Sequence, residues 1–355
     1  MLRSTIAPAL TALALLSTPA RAAEITDLPP FLRGDLALGY AFEHTGGGLT
    51  EAGEQVGSRT WQEHRLVYSG VFSAGPGVAL FFELPQSVST SLSFPEASEM
   101  VYDPALDRGT MLGTDSLDGL DPIKAKGAEG LWLGIKGTPF SEAFVQRGNR
   151  ATWLIEAAFR TRTKGNFYTL NEDGTRSAGV GGGGMRLGMA FSTTHHISKP
   201  YLAFRYTRTR PIDPATLYDQ DGAVLDSAAV LDPADTIEIK TGTEIVVHDD
   251  AETHSRFAFD LRLCFGYATW QTVPSGLFLP SVLDVNRDVV ATESEYTWAG
   301  AGLALRHQAF EYLAWYLGGD VNYIAPHNIE HLYAVDTGPD TLQITGSAGF
   351  KVMIR

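Results

Sequence analysis

The chain has 355 residues, a formal net charge of −14, 37 glycines, 10% aromatic residues and a single cysteine, Cys264. One cysteine excludes an internal disulfide framework, and the acidic balance makes nucleic acid a poor partner. Beyond the N-terminal segment no run of 18 or more apolar residues occurs, so only a closed sheet, not a helix, is expected to cross a membrane.

The chain opens MLRSTIAPALTALALLSTPARAAEI. Arg3 gives a basic start, Ala7 to Leu16 an apolar run too short to span a bilayer, and Ala20-Arg21-Ala22 the small residues of a cleavage site. That layout predicts a secretory signal peptide over residues 1–22 and one further domain over 23–355; Pro8 and Pro19 argue against a retained helix.

Alternating apolar and polar residues then predict twelve strands, at 34–44, 60–73, 77–85, 129–137, 151–163, 184–194, 199–209, 236–248, 254–268, 294–307, 310–323 and 341–354. The stretch FAFDLRLCF at 257–265 shows the pattern, with Phe and Leu at every second place. Most of these segments approach or exceed the roughly 9–11 residues that a tilted strand needs to cross a bilayer, against about five or six for ordinary sheets.

The links between strands sort by length. Short ones fall at Ser73–Pro76, His195–Ser198, Asp249–Thr253 and His307–Ala309, and a moderate one at Thr138–Arg150. Long ones fall between them, at His44–Arg59, Pro85–Ala128, Lys164–Gly183, Arg210–Asp235, Thr269–Glu293 and Ala325–Asp340. This alternation predicts an all-β, antiparallel, up-and-down transmembrane barrel of about twelve strands, with short periplasmic turns, long extracellular loops and both termini in the periplasm.

On each strand the more apolar face is assigned to lipid, for example Leu66, Tyr68 and Phe72, or Met185, Leu187, Met189 and Phe191. Trp61, Tyr201, Trp270 and Tyr323, near strand ends, are expected in the interfacial aromatic belts. The opposite face carries nine basic and seven acidic residues. Arg65, Glu156, Arg160, Arg186, Arg205, Glu244, Asp260, Arg262, Arg306 and Asp320 are the candidate pore-lining residues among them. Two readings stay open: a basic path that guides anionic or polar solutes, or carboxylates and arginines pairing across strands into a plug.

Other motifs carry less. GVGGGG at 179–184 reads as a loop end, since no Lys-Ser/Thr pair or helix follows. Asp115, Asp118 and Asp121 lack the spacing of a calcium loop, and no metal is expected. The long Pro85–Ala128 link reads as a constriction or a lid. His196 and Ser198 share a face, but they sit in a short turn before Pro200 and no Gly-x-Ser-x-Gly elbow exists, so no catalytic residue is assigned. His195, His248, His254 and His307 also fall near short turns and read as solvated. No cofactor is called.

The stretch Trp61 to Gly165 contains YSGVFSAGPGVALFFELP at 68–85, with Glu83-Leu84-Pro85, and KGAEGLWLGIKGTPF at 126–140. It resembles outer-membrane barrels of the FadL-like or phenol-degradation MetA-type group. In that group a strand ending Glu-Leu-Pro, a long loop and a Gly-x-Gly-Asp strand start recur; here Gly127-Ala128-Glu129-Gly130 replaces the last element. The resemblance implies a passive channel for small or hydrophobic compounds. The last strand ends Phe350-Lys351-Val352-Met353-Ile354-Arg355 and departs from the terminal aromatic common in barrels.

The expected role is a porin-like channel or transporter in a Gram-negative outer membrane. Lipid and small-molecule solutes are the partners, with periplasmic chaperones and the barrel-insertion machinery during biogenesis. A non-conducting structural or loop-binding barrel is the alternative, and an outer-membrane hydrolase trails it.

Overall fold

The computed structural model describes residues 26, 28–29, 32–51, 54–93, 98–103, 108–116, 123–140, 151–163, 165, 175–179, 181–218, 224–250, 252–274, 290–330 and 334–354. Twelve strands form a ring: β1 Gly34–Glu51, β2 Glu54–Gly75, β3 Val78–Ser93, β4 Trp132–Phe140, β5 Ala151–Arg160 and β6 Gly184–Thr193. They continue as β7 Ser198–Thr209, β8 Thr236–Asp250, β9 Ser255–Ala268, β10 Tyr296–Phe310, β11 Leu313–Ile324 and β12 Leu342–Ile354. Each pairs antiparallel with its neighbours in sequence, and β12 closes on β1 from Gly46↔Leu342 to Gly34↔Ile354. Closure removes every edge from the central wall, which is what lets a sheet stand in hydrocarbon.

The register keeps the two faces separate. Phe265 pairs with Ile239 and Ala299, and Leu261 with Thr243 and Leu303, so apolar side chains continue outward from strand to strand. Leu36, Leu80, Ile135, Ile155, Met189, Leu263, Leu317 and Phe350 are among the exposed members of this belt. Arg262 and Asp260, one residue away in either direction from Leu261, are buried inside. This is a barrel turned inside out relative to a water-soluble protein.

The short turns lie at one end with both ends of the chain. Gly77 takes a φ of +70° in the β2–β3 turn, a conformation open to glycine but costly for other residues. The Ser198 N–H donates to His195 C=O, and His195 N–H to Ser198 C=O, so this pair closes the β6–β7 turn. At that turn end, the Thr253 hydroxyl and the Glu252 N–H hold the Asp250 carboxyl below the usual carboxylate range.

The opposite, loop end differs from the sequence expectation in two places. The link His44–Arg59 is not a loop: β1 and β2 stay paired as far as Glu51↔Glu54. Pro85 does not end its strand either, since β3 runs on to Ser93 and changes partner from β4 to the short strand Ile123–Ala128. Proline is tolerated at such a break because its missing N–H falls where the ladder changes hands. Further short strands, Gln271–Pro274, Val290–Glu293, Asn328–Glu330 and Ala334–Thr337, pair in succession and join β1 at Leu49 and Thr50. The wall therefore rises past the belt as a raised collar.

Two aromatics also leave their expected belt. Trp61 and Tyr201 are buried on the inner face, where the Tyr201 hydroxyl donates to Asp260 Oδ1 at 3.0 Å. Each sits in register with inward groups, and parity decides against lipid. Trp270 and Tyr323 are exposed as expected, joined by Tyr40, Tyr68, Trp153, Tyr312 and Trp315. Asp118, Asp121 and the side chains of Asp115 and most of the Pro85–Ala128 link lie outside the described residues, as does the signal-peptide segment.

Candidate functional site

All ten candidate pore-lining residues point into the barrel, and the register stacks them with their neighbours into three levels. Nearest the turn end, Glu244 on β8 pairs with Arg256 on β9 and, at 3.5 Å, with Arg306 on β10. Lys351 Nζ meets Asp35 Oδ2 at 3.2 Å on the same level.

Half way along, Arg186 on β6 lies 2.7 Å from Glu156 and 3.5 Å from Glu83, while Lys136 reaches Glu156 at 3.2 Å. Glu238 holds Lys240 at 2.9 Å and Arg205 at 3.8 Å. Arg262 forms the tightest cluster: Nη1 donates to Asp260 Oδ2 at 2.9 Å, Nε to Asp320 Oδ1 at 2.6 Å and Nη2 to Asp320 Oδ2 at 2.8 Å. Arg262 and Asp320 stand on strands β9 and β11, with β10 between them. Gly302 on β10 makes the reach possible, because a Cβ there would lie 1.9 Å from Asp320 Oδ1 and 2.9 Å from Arg262 Nε.

Toward the loop end the interior is filled. Arg65 Nε donates to Glu129 Oε1 and its Nη2 to Glu63 Oε2, both at 2.6 Å. Gln343 Nε2 donates to Glu43 Oε1 at 3.0 Å, and Asn322 Nδ2 to Gln343 Oε1 at 2.9 Å. Trp132 packs between the guanidinium groups of Arg160 and Arg186, 5.1 and 4.9 Å from its ring, a cation–π stack sealed from water. Arg160 Nη2 also donates to Thr209 Oγ1 at 3.1 Å. Ala234, Ala268, Tyr296, Trp298 and Ile324 form an apolar core at this end.

Above that core Glu293, on the collar, accepts from Gln271 Nε2 and lies 2.8 Å from His327 Nε2. His327 Nδ1 in turn is 3.0 Å from Thr337 Oγ1. Thr337, His327 and Glu293 thus have the connectivity of a hydrolytic triad, but Thr337 is buried and its oxygen already accepts the His327 backbone N–H at 3.0 Å. The cluster ties Val290–Glu293 to Ala334–Thr337 and closes the collar over the barrel.

Below the middle level lies a cavity of about 590 Å³ that opens at the turn end. Ala37, Gly39, Val67 and Val71 of β1 and β2 line one side, and Glu156, Arg186, Arg205, Glu238, Lys240 and Arg306 line much of the rest. Asp35 and Lys351 bring charge to the first side as well. Leu28 and Pro29 also line it, and Thr26 Oγ1 lies 2.7 Å from Ser192 Oγ on β6, nearly across the ring from β1. The segment before β1 therefore straps the mouth.

Sequence reading missed Asp35, Glu43, Arg59, Glu129, Arg256 and Glu293, four acids and two bases, so the inward charge is nearer balance than the nine and seven of the expected inner face. Parity with Gly39 and Ala41 was a usable signal for Glu43; no local signal marked Glu129, which precedes its strand. Cys264 is buried inside, its Sγ 3.9 Å from Asp320 Oδ1. Ser198 Oγ donates to the His195 carbonyl at 3.0 Å and serves the turn. Among the described residues no group of three or more His, Cys, Asp or Glu is placed to hold a metal.

No family model and no curated protein matches the chain. Among solved structures, the COG4313 outer membrane channel from Pseudomonas putida F1 superposes with a TM-score of 0.54 at 12% identity, over 93% of this chain and 98% of that one. The shared fold is a closed, twelve-stranded antiparallel β-barrel. A FadL homologue from Pseudomonas aeruginosa (TM-score 0.40, 10% identity, 91% and 90% covered) and a mutant of the TodX monoaromatic hydrocarbon channel (0.42, 10%, 93% and 93%) align less well. At these identities the agreement concerns fold, which is the level at which the stretch 61–165 resembles FadL-like barrels.

Proposed function

We propose that this chain is a non-enzymatic outer-membrane channel of a Gram-negative cell. In this reading it is exported by a cleaved signal peptide over residues 1–22, with residues 23–355 as the barrel domain, and it passes small molecules passively through a polar, charge-lined lumen. Chaperones and the insertion machinery deliver it to the lipid.

The observation that carries this reading is the inversion of the two faces. Exposed Leu, Phe and Ile cover the outside of the wall while arginines and carboxylates surround a cavity within it. Burying so many charges gives little stability over well-packed apolar residues, so their retention suits a wet passage. The packed loop-end half makes the conformation a closed one; the passage opens when the collar and the strap move. Arg65, Arg160, Asp260, Arg262 and Asp320 then line its narrow part, and Glu156, Arg186, Arg205, Glu244 and Arg306 its wide part.

Planar-bilayer recording and liposome swelling test this. Discrete conductance steps from correctly inserted protein are expected. An inserted, folded barrel that passes neither ions nor small sugars under any voltage removes the channel reading. It would leave the non-conducting barrel, which the filled loop-end half favours.

A further inference from the structure

Eight basic residues line the cavity against six acidic ones. In four of the ion pairs on its wall, the cation stands nearer to water than the acid. The Arg205 side chain is 25% exposed against 14% for Glu238, Lys136 25% against 6% for Glu156, and Arg256 28% and Arg306 15% against 4% for Glu244. The carboxylates lie back against the wall. In others on the same wall the order reverses: Arg186 is 4% exposed against 9% for Glu83, Lys240 7% against 14% for Glu238, and Lys351 13% against 16% for Asp35. With two more cations than acids on its wall, the cavity presents positive potential to a solute.

The four more exposed cations stand along one half of the ring. Lys136 stands on β4, Arg205 on β7, Arg256 on β9 and Arg306 on β10. Twelve tilted strands spaced about 4.8 Å apart enclose a backbone diameter of roughly 23 Å. Long basic side chains entering from separate sides leave a gap that a compact molecule can bridge, and a molecule with one negative group would leave the other cations unmet.

We infer that this cavity binds compact organic anions bearing two or more carboxylates. Arg205 and Arg306 hold opposite ends of the ligand, and Lys136 and Arg256 complete the positive lining. The inference deepens the channel reading and rests on its assignment of this cavity to the passage.

Calorimetry on the folded barrel in detergent tests it without any flow, using citrate as the probe and triacetin as a neutral probe of similar size. Citrate is expected to bind and triacetin not. Citrate binding should weaken roughly tenfold from low to high salt, and Arg205→Gln with Arg306→Gln should weaken it roughly tenfold or more. No citrate binding at low salt, equal binding of triacetin, or indifference to salt overturns the inference on the unmodified protein alone. A barrel that conducts but does not bind citrate defeats this inference and spares the channel; one that binds citrate but never conducts does the reverse.

Discussion

Replacing Arg262 by methionine tests how the inner wall is held. Arg262 makes three charge-assisted hydrogen bonds, two of them to Asp320, and its side chain is 2% exposed. Removing one partner of a buried pair leaves an unpaired charge and costs about 3–5 kcal/mol. Two things soften that figure here. Asp260 keeps the Tyr201 hydroxyl, and Asp320 keeps Thr345 and is 16% exposed, so water reaches it. The expected loss is about 3 kcal/mol in urea unfolding from lipid vesicles. Arg262→Met combined with Asp320→Asn should recover much of it, because the orphaned carboxylate is gone. Double-mutant coupling near zero would refute the idea that Arg262 and Asp320 act as a unit across β10.

Leu263→Arg, which puts a charge in the middle of the outer belt, should cost about 2–4 kcal/mol in bilayers; an unchanged urea midpoint would show that lipid does not cover this face. Trp132→Ala should destabilise the barrel by about 3–5 kcal/mol and raise single-channel conductance, since the side chain that separates cavity from packed half is removed. Gly302→Val should prevent the Arg262–Asp320 contact and lower stability at least as far as Arg262→Met does, read on the same urea curves. Thr26→Val should change stability by no more than about 1.5 kcal/mol but raise the open probability in bilayer recordings, because the Thr26–Ser192 hydrogen bond fastens the strap to β6.

The barrel was legible because parity is a strong constraint. Once one face of a strand must be apolar, a slip of one residue exchanges both faces, so Phe257 to Phe265 fixed the inward place of Asp260 and Arg262 without any knowledge of neighbours. Parity also puts Trp61 with Arg65 and Tyr201 with Arg205 on the inner face, against the belt expected from their residue type. The collar was invisible because its strands are three or four residues long and gain their order from pairing with one another and with β1. The exposure difference between cation and acid was invisible for another reason: it depends on which side chain lies over which, a property of three strands at once.

The seam between β12 and β1 has a consequence for how the molecule is made. Thirteen residue pairs join the two ends of the barrel, from Gly34↔Ile354 to Gly46↔Leu342. All of them need β12, the last strand of the ring, so the cylinder cannot seal before that strand is in place. Until then two open borders stay ready to recruit strangers. Loss of even a few C-terminal residues would leave that zip half done, and the result would be clumped polypeptide, not a smaller vessel.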